Sequence, residues 1–226
     1  MNCAGQEIGG RVSGGSIVLL NGTSSAGKSS IARSLHTRLG TPFLHVGIDH
    51  FLGMLPAAYV GAGPPFTSEV LDGFRWVHPP AEFAVQGIAI RAGPFGQQLV
   101  AGYHRAVAAL AMAGLDLIVD EVLLEPHWLA DWLTVLESFA VLFVGVHCPL
   151  AETERRERER GDRTVGQARA QFEVVHAHGE YDVAVDTAQQ STADCASRIV
   201  QTLPVARDLN GNAFARLRRR AGGGLP

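Results

Sequence analysis

Short apolar runs rich in branched side chains recur along the chain, and each has the composition of a strand buried in a parallel sheet. Most of them end next to a polar residue or a glycine, which marks the point where the chain leaves the sheet. The predicted strands are residues 16–20, 43–48, 115–119, 139–146 and, as a fifth strand, 181–185.

The segments between these runs carry apolar residues at helical spacing. The helix predicted from Lys28 has Ile31, Leu35 and Leu39 on one stripe. Further helices are predicted over residues 95–113, 151–160, from there to about 175, and 192–203. The alternation predicts an α/β fold in which helices cover both faces of a parallel sheet, within one domain over residues 16–203.

Three segments fall outside this pattern. The glycine-rich residues 1–15 are predicted to be flexible, and residues 54–80 mix Gly, Pro and aromatic side chains without a helical or strand period. The tail, residues 204–226, carries arginines before a run of glycines and is predicted to be disordered or loosely docked. Its basic residues include Arg216, Arg218, Arg219 and Arg220.

The strongest local signal lies between the first predicted strand and the first predicted helix. Residues 22–29 fit the pattern GxxxxGK[ST] in the strand–loop–helix context that a phosphate-binding loop, or P-loop, requires. Lys28 is the single lysine among 19 Lys and Arg residues, as expected where a compact ammonium must reach phosphates. The motif therefore predicts ATP on backbone amides and Mg²⁺ on Ser29. Its residues are Gly22, Thr23, Ser24, Ser25, Ala26, Gly27, Lys28 and Ser29.

Two carboxylates follow predicted strands, at the sheet edge where ligands of parallel sheets collect. Asp49 is the candidate catalytic base, which would accept the proton of an attacking hydroxyl. It could instead cap a helix or bind Mg²⁺ through water. Asp120, after an apolar strand, is the candidate for the Mg²⁺ shell, and a helix cap or a surface ion pair is the alternative.

Arginines surround a Gly-Asp turn between two predicted helices, and this pattern is typical of a mobile lid over the transferring phosphate. Arg160 and Arg163 are the favoured pair, and Arg155 and Arg156 stand nearby. Because glutamates alternate with these arginines, the competing interpretation is a solvated helix with weak ion pairs.

Composition restricts the partners. A net charge of −3 gives no general attraction to nucleic acid or anionic membranes, and no apolar run is long enough to span a bilayer. Three widely spaced cysteines fit neither a disulfide framework nor a zinc site, so a cytoplasmic protein is expected. Zinc on His176 and His178 is disfavoured because no further ligand set completes a shell.

The chain resembles the chloramphenicol phosphotransferase family of P-loop kinases in the order and spacing of six sequence blocks across residues 16–203. The blocks are Leu20-Asn21-Gly22 with Ser24 to Ser29, Gly47-Ile48-Asp49, Ile118-Val119-Asp120, Arg160-Gly161-Asp162-Arg163, Tyr181-Asp182-Val183 and Val185-Asp186-Thr187.

The resemblance implies a five-stranded parallel sheet of the nucleoside-monophosphate-kinase type, the use of ATP with Mg²⁺, and transfer to a primary hydroxyl of an antibiotic, hence antibiotic resistance. Asp49 would be the family's base and Lys28 its phosphate lysine. Asp186 and Thr187 would lie near the adenine, with Arg160 and Arg163 in the lid.

The acceptor is the least defined part of the prediction. Aromatic and apolar residues beyond the second strand would suit an aromatic, uncharged acceptor, or they could simply cover the core. They are Phe51, Leu52, Met54, Phe66, Phe74 and Trp76. Three functions remain open: an antibiotic O-phosphotransferase, a kinase for another metabolite, and a regulatory nucleotide-binding protein. Oligomeric state is open.

Overall fold

The structure is a computed structural model that describes residues 14–78, 87–161 and 164–222. Its strands within these ranges are β1 (Ile17–Asn21), β2 (Phe43–Gly47), β3 (Val60–Ala62), β4 (Phe74–Val77), β5 (Ala89–Ala92), β6 (Asp116–Glu121), β7 (Val141–His147) and β8 (Val183–Asp186). Its helices there are α1 (Lys28–His36), α2 (Ile48–Leu52), α3 (Ser68–Asp72), α4 (Pro94–Met112), α5 (Pro126–Val135), α6 (Leu150–Arg160), α7 (Gln167–Phe172), α8 (Thr192–Thr202) and α9 (Ala213–Gly222).

Five strands form one parallel sheet in the order β2-β6-β1-β7-β8. The central strand β1 is buried along its length, and its Leu19 is in register with Val119 of β6 and Phe143 of β7. Strands this apolar need cover on both sides. The prediction of an α/β fold with a five-stranded parallel sheet is confirmed.

Two apolar layers cover the sheet. On one face, side chains of α4, α5 and α9 pack around Tyr103, Trp132 and Phe143. On the other face, α1 and α8 contribute Ile31 and Ile199. Because parallel strands end at the same edge, all the loops that follow them lie together at the carboxyl edge of this sheet.

Residues 54–78 are more regular than the sequence indicates. A three-stranded sheet in the order β3-β4-β5 fills this region together with α3. Its strands have only three or four residues, too few to show a two-residue period, and their pairing partner β5 comes from beyond the segment. Residues 79–86 lie outside the described part.

The prediction of a disordered tail is wrong for residues 204–222. A short 3₁₀ helix, Leu203–Arg207, leads to α9, whose Phe214 and Leu217 are buried against the main sheet. The buried Asp182 accepts a hydrogen bond from the backbone N–H of Ala213 at 2.6 Å. Apolar residues spaced by three and four among arginines make this segment an amphipathic helix.

Some sequence predictions fall outside the described residues. The flexible N-terminus was predicted for residues 1–15, of which residues 1–13 are outside, and so are Asp162 and Arg163 of the predicted lid turn. Among the helices of the described ranges, none has both the length and the apolar composition needed to cross a bilayer.

Candidate active site at the phosphate-binding loop

The loop between β1 and α1 has the backbone of a phosphate cradle. Ser25 has a φ of 61° and Gly27 a φ of 96°, both in the left-handed region, so the chain turns sharply before α1 begins. A side chain at Gly22 would lie 2.4 Å from the carbonyl oxygen of Val146. The loop is thus seated directly on the edge of the sheet, with a helix N-terminus behind it.

Lys28 is buried under this loop. Its Nζ donates hydrogen bonds to the carbonyl oxygens of Gly22 and Thr23, each at 2.9 Å, and lies 3.6 Å from Oδ1 of Asp120. The ammonium therefore already sits among groups that hold it beneath the cradle. A phosphate arriving above the loop would find this positive charge in place.

Ser29 and Asp120 form the second polar pair. Ser29 Oγ donates to Asp120 Oδ2 at 2.6 Å. Burial opposes ionisation of Asp120, but Lys28, together with His45 and Ser29, outweighs it and lowers the pKa of Asp120 to about 2. A hydroxyl beside an ionised carboxylate is the oxygen donor set that Mg²⁺ prefers. These residues fit the predicted metal ion.

Asp49 lines the same cleft as this pair and stands on a helix. β2 ends at Gly47, and Asp49 occupies the first turn of α2. The backbone of Gly47 approaches Asp120 so closely that a side chain at this glycine would lie 2.9 Å from the Asp120 carbonyl oxygen. This close approach brings Asp49 to the same cleft as Lys28 and Asp120.

The loop after β8 is tied to the phosphate-binding loop. Thr187 Oγ1 donates to the carbonyl oxygen of Ala26 at 2.8 Å, and Arg156 donates to both Oγ1 and the carbonyl oxygen of Thr187 at 3.0 Å. Asp186 accepts a hydrogen bond from the backbone of Ala188 at 2.8 Å. The predicted adenine loop and the phosphate loop are therefore neighbours.

The predicted lid has two kinds of arginine. Arg160 lines the cleft, as does Arg156, whereas Arg155 is half exposed and pairs with Glu152 and Glu159 on its own helix. The ion-pair interpretation thus describes Arg155 and also Arg156, whose Nε donates to Glu152 at 2.7 Å. In addition, Arg156 contacts the predicted adenine loop at Thr187, although the sequence did not favour it over Arg160. Arg163 is outside the described residues.

Two more polar residues were missed from the sequence. Gln171 of α7 accepts a hydrogen bond from the backbone N–H of Ser24 at 2.6 Å, so it contacts the phosphate loop itself. Asn21 donates to the Val175 carbonyl and to the Tyr181 hydroxyl, at 2.7 and 2.8 Å. Asn21 is part of the Leu20-Asn21-Gly22 motif that the family resemblance includes, but nothing in the sequence signals the role of Gln171.

One cleft of about 810 Å³ joins these groups. Its polar part contains the phosphate loop, Asp49 and Asp120. Its other part is apolar and is lined by Leu52, Phe74, Ile90, Val122, Leu124 and Trp128. Two of the six residues suggested for an acceptor thus line the cleft, while Phe51 and Trp76 pack against the core and Met54 is 71% exposed.

The two histidines considered for zinc, His176 and His178, contact polar and aromatic side chains. His176 Nδ1 lies 2.5 Å from the Tyr181 hydroxyl, and His178 Nε2 lies 3.3 Å from Asn21 Nδ2. Burial is the main cause that lowers the pKa of His176 to about 3 and that of His178 to about 4. His176 stacks on His147 and His178 stacks on Phe143, with ring centroids 4.0 and 5.0 Å apart.

Comparison with known proteins agrees with this architecture. Residues 15–204 match the family described as chloramphenicol phosphotransferase-like protein. A Mycobacterium tuberculosis (strain ATCC 25618 / H37Rv) protein with the provisional name O-phosphotransferase is 34% identical over 218 residues, covering 91% of this chain and 89% of its own.

Solved structures with the same fold include kinases. The APS kinase of Mycobacterium tuberculosis, in complex with AMPPNP and APS, has a TM-score of 0.57 at 16% identity and covers 84% of this chain and 98% of its own. The tunicamycin resistance protein of Deinococcus radiodurans has a TM-score of 0.55 at 18% identity, with coverages of 84% and 95%. The sequence match, which spans most of the chain, carries the assignment: this protein belongs to the chloramphenicol phosphotransferase-like family.

Proposed function

We propose that this protein is an ATP-dependent kinase that transfers the γ-phosphoryl group to a hydroxyl of a small molecule, and that the acceptor is an antibiotic of chloramphenicol type. The observation that carries the proposal is the single cleft in which a phosphate-binding loop, two carboxylates and an apolar compartment meet. Family membership supports the same reaction class.

The polar half of the cleft suits a nucleoside triphosphate. Lys28 would contact the β- and γ-phosphates once they lie on the loop, and Arg156 and Arg160 would add charge from the other side. The adenine would lie near Asp186 and Thr187. Magnesium held by Ser29 and Asp120 would neutralise phosphate charge during the transfer.

The apolar half suits the acceptor. Leu52, Phe74, Leu124 and Trp128 line the same cleft as the phosphate loop. Such walls bind an uncharged body by burial of its surface, while a few polar groups orient it. A hydroxyl of that body would reach the polar half of the cleft, where Asp49 lies.

Asp49 is the proposed base. A carboxylate beside the attacking hydroxyl orients it and accepts its proton as the O–P bond forms and the bond from the γ-phosphorus to ADP breaks. Placement on the first turn of α2, which packs against α4, gives this carboxylate a fixed support. The products are ADP and a phosphate ester of the acceptor.

The test is a transfer assay with purified protein, ATP, Mg²⁺ and a panel of hydroxylated compounds, read by mass spectrometry of the acceptor. We expect chloramphenicol to gain one phosphate. Lys28→Ala should abolish ATP binding in calorimetry, and Asp49→Asn should lower kcat by about 10²- to 10⁴-fold at unchanged ATP affinity. Asp194→Asn, which changes an exposed carboxylate on α8, is the matched control.

Other outcomes separate the competing functions. If another compound is phosphorylated while chloramphenicol is not, the antibiotic assignment is wrong and the chain is a metabolite kinase. If no compound gains phosphate and Asp49→Asn leaves ATP turnover unchanged, the kinase proposal fails and a regulatory nucleotide-binding protein takes its place.

A further inference from the structure

His45 of β2 has no role in the scheme above, yet it lies in the same cleft. Its strand is the direct neighbour of β6, and His45 is in register with Ile118, two residues before Asp120. Its Nε2 is buried and has no hydrogen-bond partner among the described residues. A buried polar nitrogen without a partner costs free energy, so its retention calls for an explanation.

The candidate hydrogen-bond acceptor for this nitrogen is a carboxylate. Nε2 of His45 lies 3.7 Å from Oδ2 of Asp120, a few tenths of an ångström beyond a hydrogen bond. Asp120 Oδ2 already accepts from Ser29 at 2.6 Å, but a carboxylate oxygen has two lone pairs and can accept a second donor. A small movement of either side chain would complete the contact.

We propose that His45 is the positioning residue of Asp120: it donates its Nε2–H to Oδ2 and fixes the carboxylate in the orientation that serves Mg²⁺ of the bound nucleotide. Hydrogen-bond donors behind a metal-binding carboxylate act in this way in metal sites generally. The inference rests on the proposed function in so far as that function places Mg²⁺-ATP at Ser29 and Asp120.

The surroundings of the ring favour a donor role over a packing role. The rings of His36 and His50 lie 6.2 and 6.0 Å from the ring of His45, both edge-on. If the side chain only filled space here, an apolar residue would do so without the free-energy cost of a buried nitrogen beside a carboxylate.

The experiment uses two substitutions of the full chain. His45→Phe keeps a ring and removes the donor, and His45→Gln restores an N–H donor that carries no charge at any pH. ATP affinity is measured by calorimetry with Mg²⁺ and again with EDTA, and the ratio of the two affinities gives the contribution of the metal. This readout needs no acceptor and no turnover.

We expect His45→Phe to reduce the metal-dependent gain in ATP affinity about 10- to 100-fold, with affinity in EDTA unchanged. His45→Gln should recover most of the loss. His36→Phe, which changes an exposed ring on α1 outside the cleft, should match the wild type. In an Asp120→Asn background, His45→Phe should have little further effect, because the partner charge is gone.

Two results would overturn the inference: His45→Phe with the wild-type metal-dependent gain, or His45→Gln as impaired as His45→Phe. Thermal unfolding of each variant shows whether the fold is retained, and His45→Gln carries the test if His45→Phe is unstable. Failure of the proposed function looks different, because it appears as intact Mg²⁺-ATP binding without phosphate transfer to any acceptor.

Discussion

We expect the buried His104 to make the unfolding free energy of this protein sensitive to mild acid. The ring is fully buried on α4, stacked at a tilt on Trp132 with a centroid distance of 4.0 Å. Nδ1 lies 2.6 Å from Oδ2 of Asp131, and Nε2 lies 3.8 Å from Oε2 of Glu121. Burial is the largest influence and lowers the pKa of His104 to about 4, against the opposing effect of Asp131.

The sign of the effect follows from linkage. The folded state resists protonation of His104, whereas the unfolded chain binds the proton near its ordinary pKa of 6.5. The stability contributed by the neutral ring is therefore complete above pH 6.5 and is lost as the pH falls towards 4. A shift to about 4 corresponds to about 2 kcal/mol of unfolding free energy lost between pH 7 and pH 5.

The assay is urea unfolding of wild type and His104→Gln at pH 7, 6 and 5. Other buried histidines also titrate, so the quantity compared is the fall in unfolding free energy of each protein. His104→Gln should lose about 2 kcal/mol less than wild type over this range, whatever its stability at pH 7. His127→Gln, at a side chain that is 60% exposed, is the control and should parallel wild type.

Parallel curves for wild type and His104→Gln would refute the reasoning. A steeper fall in the variant would show that the Asp131 carboxylate holds a proton on the ring, which reverses the direction of the pKa shift. Either result would mean that burial does not govern this site.

Three further predictions concern packing and the nucleotide. Phe214→Ala should lower the unfolding free energy by about 3–5 kcal/mol in urea unfolding, because a fully buried ring leaves a cavity; a loss below about 1 kcal/mol would contradict the docking of α9. Gly145→Ala should cost about 1–3 kcal/mol in the same assay, since the added carbon would lie 2.7 Å from the Tyr181 ring. Arg156→Ala should weaken ATP binding about tenfold in calorimetry through loss of its bonds to Thr187 in the proposed adenine loop. Arg155→Ala should not weaken it, and equal effects of the two substitutions would count against this role.

The sequence predicted those parts of the fold in which local pattern and tertiary environment agree. Strand β1 is apolar because both of its faces are buried. The residues after it match a phosphate-loop motif, which is recognisable because few sequences make that turn. Lys28, Ser29 and Asp120 could be predicted to meet, because parallel strands end at one edge. Their contacts in the structure follow that expectation.

Other features depend on partners that are distant in sequence. β4 pairs with β5, which lies on the far side of a long segment. Strands of three or four residues are also too short to show a two-residue period, so the sequence did not predict them. The sequence favoured Arg160 over Arg156, and the contact that distinguishes Arg156 is made with Thr187, a residue far along the chain. The buried face of α9 was not predicted, because the arginines around Phe214 make this segment polar in sequence.

The way α9 is attached has a practical consequence for any shortened version of this chain. Asp182 is shared: one oxygen accepts from the backbone of Phe143 in β7 and the other from Ala213 at the start of α9. A protein truncated at residue 204, where the family match ends, would lose one of these donors and open the apolar layer that Phe214 closes. Such a fragment should be prone to aggregation even though every residue of the cleft is retained.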